Sequence, residues 1–380
     1  MISLLGLALV LFTGPAAAAE PIKIGVVWPI TGPLSASGSY MVNGAKIAMD
    51  KINKDGGVLG RPIKLLIEDG ANDPATSVSA AEKLITREKV PVFIGCWGSS
   101  PTLAVSASVT KKYKVPHVAT TASSGKVTMQ DGKRPNPWLF RISPTSRMEA
   151  EGVEKSLPKM GVTKVSFLAV NNDWGRGAAD EFAKVVKRSG GEVKLTEIID
   201  QGATDFLTQL TKIKASGSNA VIITTSMAQV SLILKQINQL GIKLIVLTTG
   251  GGVVPEGLVE LAGSEAAEGV FINCFFAPWF PELTAIPDEA KAFVDEYLKR
   301  GHPFKGFGES FRPYDGIKTV AAAIEMAGSL ENDKIREALA KVNIQGLSGP
   351  IKFDEFGQSR PTIQAIQVKG GKAHIPDFLK

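Results

Sequence analysis

The amino-acid sequence predicts an α/β protein with two similar halves, each built on a parallel sheet. Short runs rich in valine and isoleucine alternate with amphipathic segments of helical period, the pattern of repeated strand–helix–strand units. The series runs twice along the chain, with a break after WLFR at residues 138–141. Roughly 360 residues follow a short apolar leader. A single hydrophobic core seldom organises a chain of this length. Two domains are therefore expected.

The first series predicts strands at 22–28, 63–68, 92–97 and 115–121. A helix ends at Gly56 and Gly57, since glycine suits the backbone just past a helix. Another helix is predicted to start at Asp73, which can cap it, with Pro74 in its first turn.

The second series predicts strands at 165–170, 193–199, 220–225, 244–248 and 270–276. The last hundred residues are mostly helical, with helices at 287–300 and 317–327 and closing strands at 351–353 and 363–368. Because so few strands remain there, this region is expected to complete the first two domains rather than form a third.

Residues 1–19 have the pattern of a secretory signal peptide. A short apolar run is followed by small residues, and Ala17 and Ala19 fit the A-x-A rule for cleavage before Glu20. No Lys or Arg precedes the apolar run, which departs from the usual pattern. The mature protein is expected to be exported, and no later run is long and uncharged enough to span a membrane.

Composition excludes several classes of function. The 43 basic and 37 acidic residues give a net charge of +6, but they are interspersed, which argues against a nucleic-acid surface. Common catalytic motifs are absent, so no enzyme activity, metal or cofactor is expected, and the glycines at 250–252 lack dinucleotide-loop spacing. His117, Cys96 and Cys274 lie in predicted strands and are expected to be buried, with no disulfide.

The segment IGCWGSSPT at 94–102 predicts an anion site. An apolar strand stops at a Gly-Ser-Ser loop that opens into a helix, where backbone N–H groups lack intrahelical partners. Ser99 and Ser100 add hydroxyls there. An N-cap role for Ser99 ahead of Pro101 explains the same residues equally well. In parallel sheets, however, ligands bind at the carboxyl ends of strands, where this loop lies.

An ordered set of segments resembles the type I periplasmic binding proteins of the branched-chain amino acid group. It comprises IKIGVVWPITGPLSASGSYMVNGAKIAMDKINKDGG, VFIGCWGSSPT, WLFRISPTS, NNDWGRGAADEF, AAEGVF and PYDGIKT. The resemblance implies a monomeric periplasmic protein whose two Rossmann-like lobes close on a small molecule for an ABC permease in the inner membrane. The implied crossovers lie near Arg141, Phe276 and Gly349. Lobe one then holds 20–141 and 277–349, and lobe two holds 142–276 and 350–380.

The resemblance also implies ligand-binding positions. Ser99 matches a serine that binds the ligand carboxylate, and Trp174 falls where relatives close a tyrosine over the ligand. Core packing is the alternative for Trp174 and also for Trp97 and Trp28, which end predicted strands. The same alternative holds for Phe311, which lies close to the position of an aromatic residue in relatives. The implied set is Ser37, Trp97, Ser99, Ser100, Thr121, Ala122, Ser123, Trp174, Ser226, Gly251 and Phe311.

One departure from the family bears on the ligand. Relatives that bind α-amino acids usually carry a glutamate for the ammonium in the loop that here reads TTGGGVVPEG, and Gly251 or a neighbour takes its place. An unpaired ammonium in a closed cleft is costly. The expected ligand is therefore an aromatic, aryl-keto or branched keto acid, and a hydrophobic amino acid would need Asp173 or Glu309 to supply the charge. The alternative function is a ligand-sensing module that partners a signalling receptor.

Overall fold

The computed structural model describes residues 20–379. The predicted signal peptide at 1–19 lies outside these residues. The chain folds into two α/β lobes, one around a five-stranded sheet and one around a seven-stranded sheet, and a two-stranded sheet completes the structure. The predicted fold class is confirmed. Within 20–379, no helix combines the length and apolar character needed to cross a membrane.

The first sheet is parallel throughout and has the strand order β2-β1-β3-β4-β5. Its predicted strands are present, and WLFR, which directly precedes the predicted break, contains a fifth strand that pairs with β4. The strands are β1 (Ile22–Trp28), β2 (Ile63–Asp69), β3 (Phe93–Gly95), β4 (His117–Ala119) and β5 (Leu139–Arg141).

Helices flank this sheet as the strand–helix alternation predicts. The Asp73 side chain accepts a hydrogen bond from the Thr76 N–H at 2.8 Å, which confirms the predicted cap. A π-helical turn, Ser106–Thr110, links the last two helices. The helices are α1 (Ser35–Lys54), α2 (Pro74–Thr86), α3 (Ser99–Val105) and α4 (Lys111–Tyr113).

The second lobe repeats the alternation. Its strands are β6 (Lys164–Val170), β7 (Glu192–Ile199), β8 (Ala220–Thr224), β9 (Ile245–Thr248) and β10 (Phe271–Cys274). Its helices are α5 (Ser146–Val153), α6 (Asp173–Arg188), α7 (Leu207–Ala215), α8 (Met227–Gln239), α9 (Pro255–Ala262) and α10 (Ser264–Ala267).

The chain then returns to the first lobe. It forms α11 (Pro287–Lys299), α12 (Phe307–Ala327) and α13 (Asn332–Leu339), and then the hairpin β11 (Asn343–Gly346) and β12 (Gly349–Lys352). Finally β13 (Gln364–Lys369) and β14 (Lys372–His374) extend the second sheet, whose order is β14-β13-β10-β9-β8-β6-β7. The C-terminal region therefore completes both lobes, as predicted.

Helix α12 starts ten residues earlier than the predicted 317–327. Its first turns contain Gly308, Pro313 and Gly316, which in sequence look like helix breakers. The glycines instead permit close approach: a Cβ at Gly308 would lie 2.4 Å from the carbonyl oxygen of Gly252 in the other lobe. These first turns of α12, residues 307–316, face the cleft.

The residues expected in the core are buried. His117, Cys96 and Cys274 expose 3 % or less of their surface. Burial lowers the pKa of His117 to about 4, so the imidazole is neutral at physiological pH.

Asp315 of α12 fixes the chain where it nears the predicted third crossover. Its buried carboxylate accepts hydrogen bonds from the Leu347 N–H at 2.8 Å and from the Ser348 N–H and hydroxyl at 3.0 and 2.7 Å. The crossover positions and lobe boundaries implied by the resemblance stay predictions.

Replacing Asp315 is expected to destabilise the protein. Asp315→Ala leaves two buried N–H groups and a hydroxyl without an acceptor, so the free energy of unfolding should fall by about 3 kcal/mol. Urea denaturation measures this. The matched control is Asp180→Ala on the exposed side of α6, expected within about 0.5 kcal/mol of the parent. Equal effects of the two substitutions would contradict the role given to Asp315.

Candidate functional site in the interlobe cleft

A cavity lies between the lobes, at the carboxyl ends of strands from both sheets, with about 440 Å³ of empty space when the part that opens to solvent is included. Parallel α/β sheets place their ligand sites at this edge. Its walls combine hydroxyls, glycines, two indoles and one buried ion pair. The lining residues are Trp97, Gly98, Ser99, Thr121, Ser123, Trp174, Thr225, Ser226, Met227, Thr249, Gly250, Gly252, Glu309 and Arg312.

The Gly-Ser-Ser loop begins α3, but Ser99 is not its cap. Gly98 occupies the N-cap position, and the Ser99 hydroxyl oxygen instead accepts a hydrogen bond from the Ser124 N–H at 3.0 Å. The N-cap alternative for Ser99 is therefore wrong. Because its oxygen is the acceptor in that bond, the hydroxyl keeps its proton for another partner.

Ser100 connects the lobes beside the cavity. Its hydroxyl donates to Asp173 Oδ2 at 2.8 Å, and the Asp173 N–H donates to the Ser100 hydroxyl oxygen at 3.2 Å. Lys126 Nζ lies 3.8 Å from Asp173 Oδ1. Neither Ser100 nor Asp173 belongs to the lining, so Asp173 is engaged in the contact between lobes.

The loop after β4 supplies further polar groups. The Thr121 hydroxyl points at the carbonyl oxygens of Cys96 and Trp97, at 3.0 and 2.7 Å, so its proton is committed and its oxygen remains an acceptor. Ser123 lines the cavity. Ala122 does not, because its carbonyl turns away to accept from Arg141 and Ser143 at 3.0 and 3.2 Å.

Arg141, at the end of β5, holds this loop from behind. Its fully buried guanidinium donates to the carbonyl oxygens of Ala122 and Ser124, to Thr128 Oγ1 and to Gln358 Oε1. Burial lowers the pKa of Arg141 to about 9, so it stays cationic at neutral pH. From the sequence, Arg141 was expected only to lie near a crossover. The arginine that follows three apolar residues in WLFR was the one sign of this buried role.

Two tryptophans meet at the cavity, one from each lobe. The rings of Trp97 and Trp174 pack edge to face, with centroids 6.3 Å apart and an interplanar angle of 82°. Trp97 and Trp174 both line the cavity. Trp28 and Phe311 are buried in the hydrophobic core, which was the alternative to ligand contact. The ring centroids of Phe311 and Phe276 are 5.7 Å apart.

Three more of the positions implied by the resemblance can be placed. Ser226 lines the cavity, whereas Ser37 lies on α1 outside the lining. Gly251 faces the ring of Phe275 instead, and its neighbours Gly250 and Gly252 form the wall. Gly250 has a φ of +85°, and a Cβ there would lie 2.5 Å from the Trp174 ring, so only glycine fits.

An acid does face this cleft, although residues 244–254 contain none. Of the two acids named from the sequence, Glu309 lines the cavity and Asp173 does not, and α12 brings Arg312 there as well, which no sequence pattern indicated. Arg312 Nη2 lies 3.6 Å from Glu309 Oε2, which also accepts a 3.1 Å hydrogen bond from Trp97 Nε1. Burial raises the pKa of Glu309 and lowers that of Arg312, and their mutual attraction opposes both shifts.

A second buried acid, Glu149 of α5, supports the glycine loop. Its Oε2 accepts the Gly250 N–H at 2.8 Å. Burial raises the pKa of Glu149 to about 7, against the opposing effects of the Gly250 N–H, the Arg312 charge and the Ser123 hydroxyl. In sequence, Glu149 lies in the charged segment SRMEAEGV and gives no signal of burial.

The architecture and cleft define a type I periplasmic binding protein, and comparisons agree. The family described as periplasmic binding protein matches residues 21–372, so the chain belongs to that family. The chain is 25 % identical, over 95 % of its length and 92 % of the relative's, to Leu/Ile/Val-binding protein homolog 7 of Brucella suis. Its relatives place it in the branched-chain amino acid group of solute-binding proteins that serve ABC transporters.

Two solved structures extend the comparison. A leucine-binding protein, LivK, from Thermotoga maritima superposes with a TM-score of 0.83 at 28 % identity, over 93 % of this chain and 97 % of that one. An ABC-transporter solute-binding protein from R. palustris in complex with 4-hydroxybenzoate gives a TM-score of 0.81 at 21 % identity, over 93 % and 95 %. At 21 % identity, the similarity to the second structure shows a shared fold.

Removing Arg141 should damage both stability and binding. Arg141→Met leaves several buried oxygen acceptors without a donor, so the free energy of unfolding should fall by about 3 kcal/mol or more. Arg147→Met is the control, since Arg147 is exposed and forms a surface ion pair with Glu151 at 2.8 Å, which is worth about 0.5 kcal/mol. Denaturant unfolding of both variants tests this, and a parent-like Arg141→Met would contradict it.

Glu149 should make stability depend on pH. Its pKa of about 7 in the folded protein exceeds its ordinary value of 4.5, so between these values the folded state binds more protons than the unfolded chain. Titration of Glu149 should therefore lower the free energy of unfolding as the pH rises from 4.5 to 7, by about 1 kcal/mol per pH unit.

Glu149→Gln should flatten this dependence. The amide oxygen can still accept from the Gly250 N–H but does not titrate. Urea denaturation at pH 5 and pH 7 measures the difference between variant and parent, and Glu151→Gln, exposed on the same helix, is the control. If Glu149→Gln and the parent show the same change between the two pH values, the buried titration is refuted.

Proposed function

We propose that this solute-binding protein captures a small carboxylate without an α-amino group, an aromatic, aryl-keto or branched keto acid, and delivers it to an ABC permease. The observation that carries the proposal is the balance of hydrogen-bonding groups at the cavity. Two buried donors of lining residues, Trp174 Nε1 and Arg312 Nε, have no partner among residues 20–379. The Ser99 hydroxyl proton is also uncommitted. Donors without partners favour a ligand that supplies acceptor oxygens.

The lining carboxylate offers little to an ammonium. Glu309 already has Arg312 as its counter-charge and accepts from Trp97. An ammonium placed beside this pair would be repelled by Arg312 in a site with little water to screen the charges. An amine-free carboxylate avoids that cost. Proteins similar to this chain are described with leucine and with 4-hydroxybenzoate, so the choice depends on the charges of this cleft.

The proposed head-group site is formed by Ser99, Ser123 and Thr121. Ser99 donates to the carboxylate, and the Ser123 hydroxyl, which also acts on Glu149, lies at the same site. Thr121 holds the two loops together through its bonds to the backbone at Cys96 and Trp97.

The apolar body of the ligand lies against the two indoles. Trp97 and Trp174 also border a second space of about 570 Å³ that opens to solvent, with Leu34 and Leu232 in its walls. A flat or branched apolar group suits these surfaces.

Capture follows from closure of the lobes. A ligand that touches both lobes binds the closed form more tightly and shifts the population toward it. Movement takes place at the three crossovers, with the lobe boundaries given by the family resemblance. The closed protein is the form presented to the permease in the periplasm.

A thermal-shift panel tests the ligand class. Benzoate, 3-phenylpropanoate and phenylpyruvate should raise the melting temperature, while phenylalanine, leucine and valine at the same concentration should not. A ligand at a hundred times its Kd adds about 2.7 kcal/mol to the free energy of unfolding. Tight binding of leucine or valine with no effect of any amine-free acid would refute the proposal.

Ser99→Ala tests the head-group site. Loss of a hydroxyl that donates to a carboxylate should weaken binding of the best acid about tenfold or more, measured by isothermal titration calorimetry. Ser79→Ala is the matched control, because Ser79 is exposed on α2 and its hydroxyl donates to the Ala75 carbonyl at 3.1 Å, away from the cleft. Similar affinities for the two variants would contradict the assignment.

A further inference from the structure

We propose that Arg312 is a specificity-determining residue that binds a second, uncharged oxygen of the ligand, so that the preferred ligands are 2-oxo acids. This inference rests on the proposed function, which assigns the carboxylate to the loops of Ser99 and Ser123. It adds a second point of recognition on the opposite wall.

Arg312 has a donor that the protein does not use. The residue is 4 % exposed and lines the cavity. Its Nη2 donates to the Gly308 carbonyl at 2.9 Å and lies 3.6 Å from Glu309 Oε2. Its Nε has no hydrogen-bond partner within the described part of the chain. A buried N–H without an acceptor costs about 1–3 kcal/mol, which an oxygen of the ligand would recover.

The guanidinium is held in one orientation. Its central carbon lies 5.6 Å from the ring centroid of Phe275 and 5.2 Å from that of Phe311. Together with the Gly308 bond, these rings fix the plane of the group before any ligand arrives. A pre-oriented donor loses little entropy on binding, which makes it effective at discriminating between ligands.

The neighbouring charges favour a neutral oxygen over a second carboxylate. Glu309 already balances the positive charge of Arg312, and Glu149 acts on Arg312 from the other lobe. A dicarboxylate would add another negative charge to a site that holds two acids and one base. A keto oxygen accepts the Nε–H without adding charge, whereas an ammonium at the same point would face the guanidinium.

Two ligand series with the same carbon skeletons test the inference by isothermal titration calorimetry. The first is 4-methyl-2-oxopentanoate, 4-methylpentanoate and leucine, and the second is phenylpyruvate, 3-phenylpropanoate and phenylalanine. The parent protein should bind each 2-oxo acid about tenfold to a hundredfold more tightly than the acid without the oxo group. Leucine and phenylalanine should bind more weakly than either.

Arg312→Met should reduce the ratio of the affinities for the 2-oxo acid and for the acid without the oxo group to near one. The acid without the oxo group should still bind. Because this change leaves Glu309 without its counter-charge, the double variant Glu309→Gln/Arg312→Met removes both charges and should give the same ratio. Arg312→Lys keeps the charge but not the planar donor edge, so it should recover little of the ratio. Arg147→Met, outside the cleft, should leave the ratio as in the parent.

The outcomes separate the two proposals. If the parent binds the acids but shows no preference for the oxo group, the inference about Arg312 is overturned and the proposed function stands. If the preference for 2-oxo acids persists in the Arg312 variants, another residue binds the oxo oxygen and the assignment of Arg312 is overturned. If the parent binds none of these acids, both proposals are overturned.

Discussion

The buried ion pair of Glu309 and Arg312 is the constraint on which the rest of the cleft depends. Charges removed from water are tolerated in a protein only when they are paired and hydrogen-bonded. Here the partners come from distant parts of the chain: Trp97 donates to Glu309, and Glu149 adds a second acid from the other lobe. The proposed ligand class follows from this pair, because a ligand that leaves the balance of charges intact avoids the cost of an unpaired buried charge.

Small residues allow the lobes to come close enough for that balance. Gly308 lies against the backbone of Gly252, and Gly250 lies against the ring of Trp174. A side chain at Gly308 or Gly252 would hold the lobes apart, and one at Gly250 would displace Trp174 within the second lobe. On the other side of the cavity, the carbonyls bound by Arg141 fix the loop that carries Ser123, so both walls are rigid where the ligand head group is placed.

Much of the fold could be predicted from the sequence, because strand and helix periodicities are local. The strands of both series, the Asp73 cap and the loops at strand ends follow from neighbouring residues. The first turns of α12 could not be predicted, since Pro313 and its flanking glycines mask the helix. The roles of Arg141, Glu149 and Arg312 depend on partners such as Gln358 and Gly250, which are remote in sequence. Ser99 was identified, but its bond to the Ser124 N–H needed the folded structure.

The most direct test of this account is a crystal structure of the protein with its tightest-binding acid. The account predicts the ligand carboxylate within hydrogen-bonding distance of the hydroxyls of Ser99 and Ser123, with Glu309 still paired to Arg312. A ligand ammonium bound to Glu309, or a carboxylate bound away from the two serine loops, would contradict it.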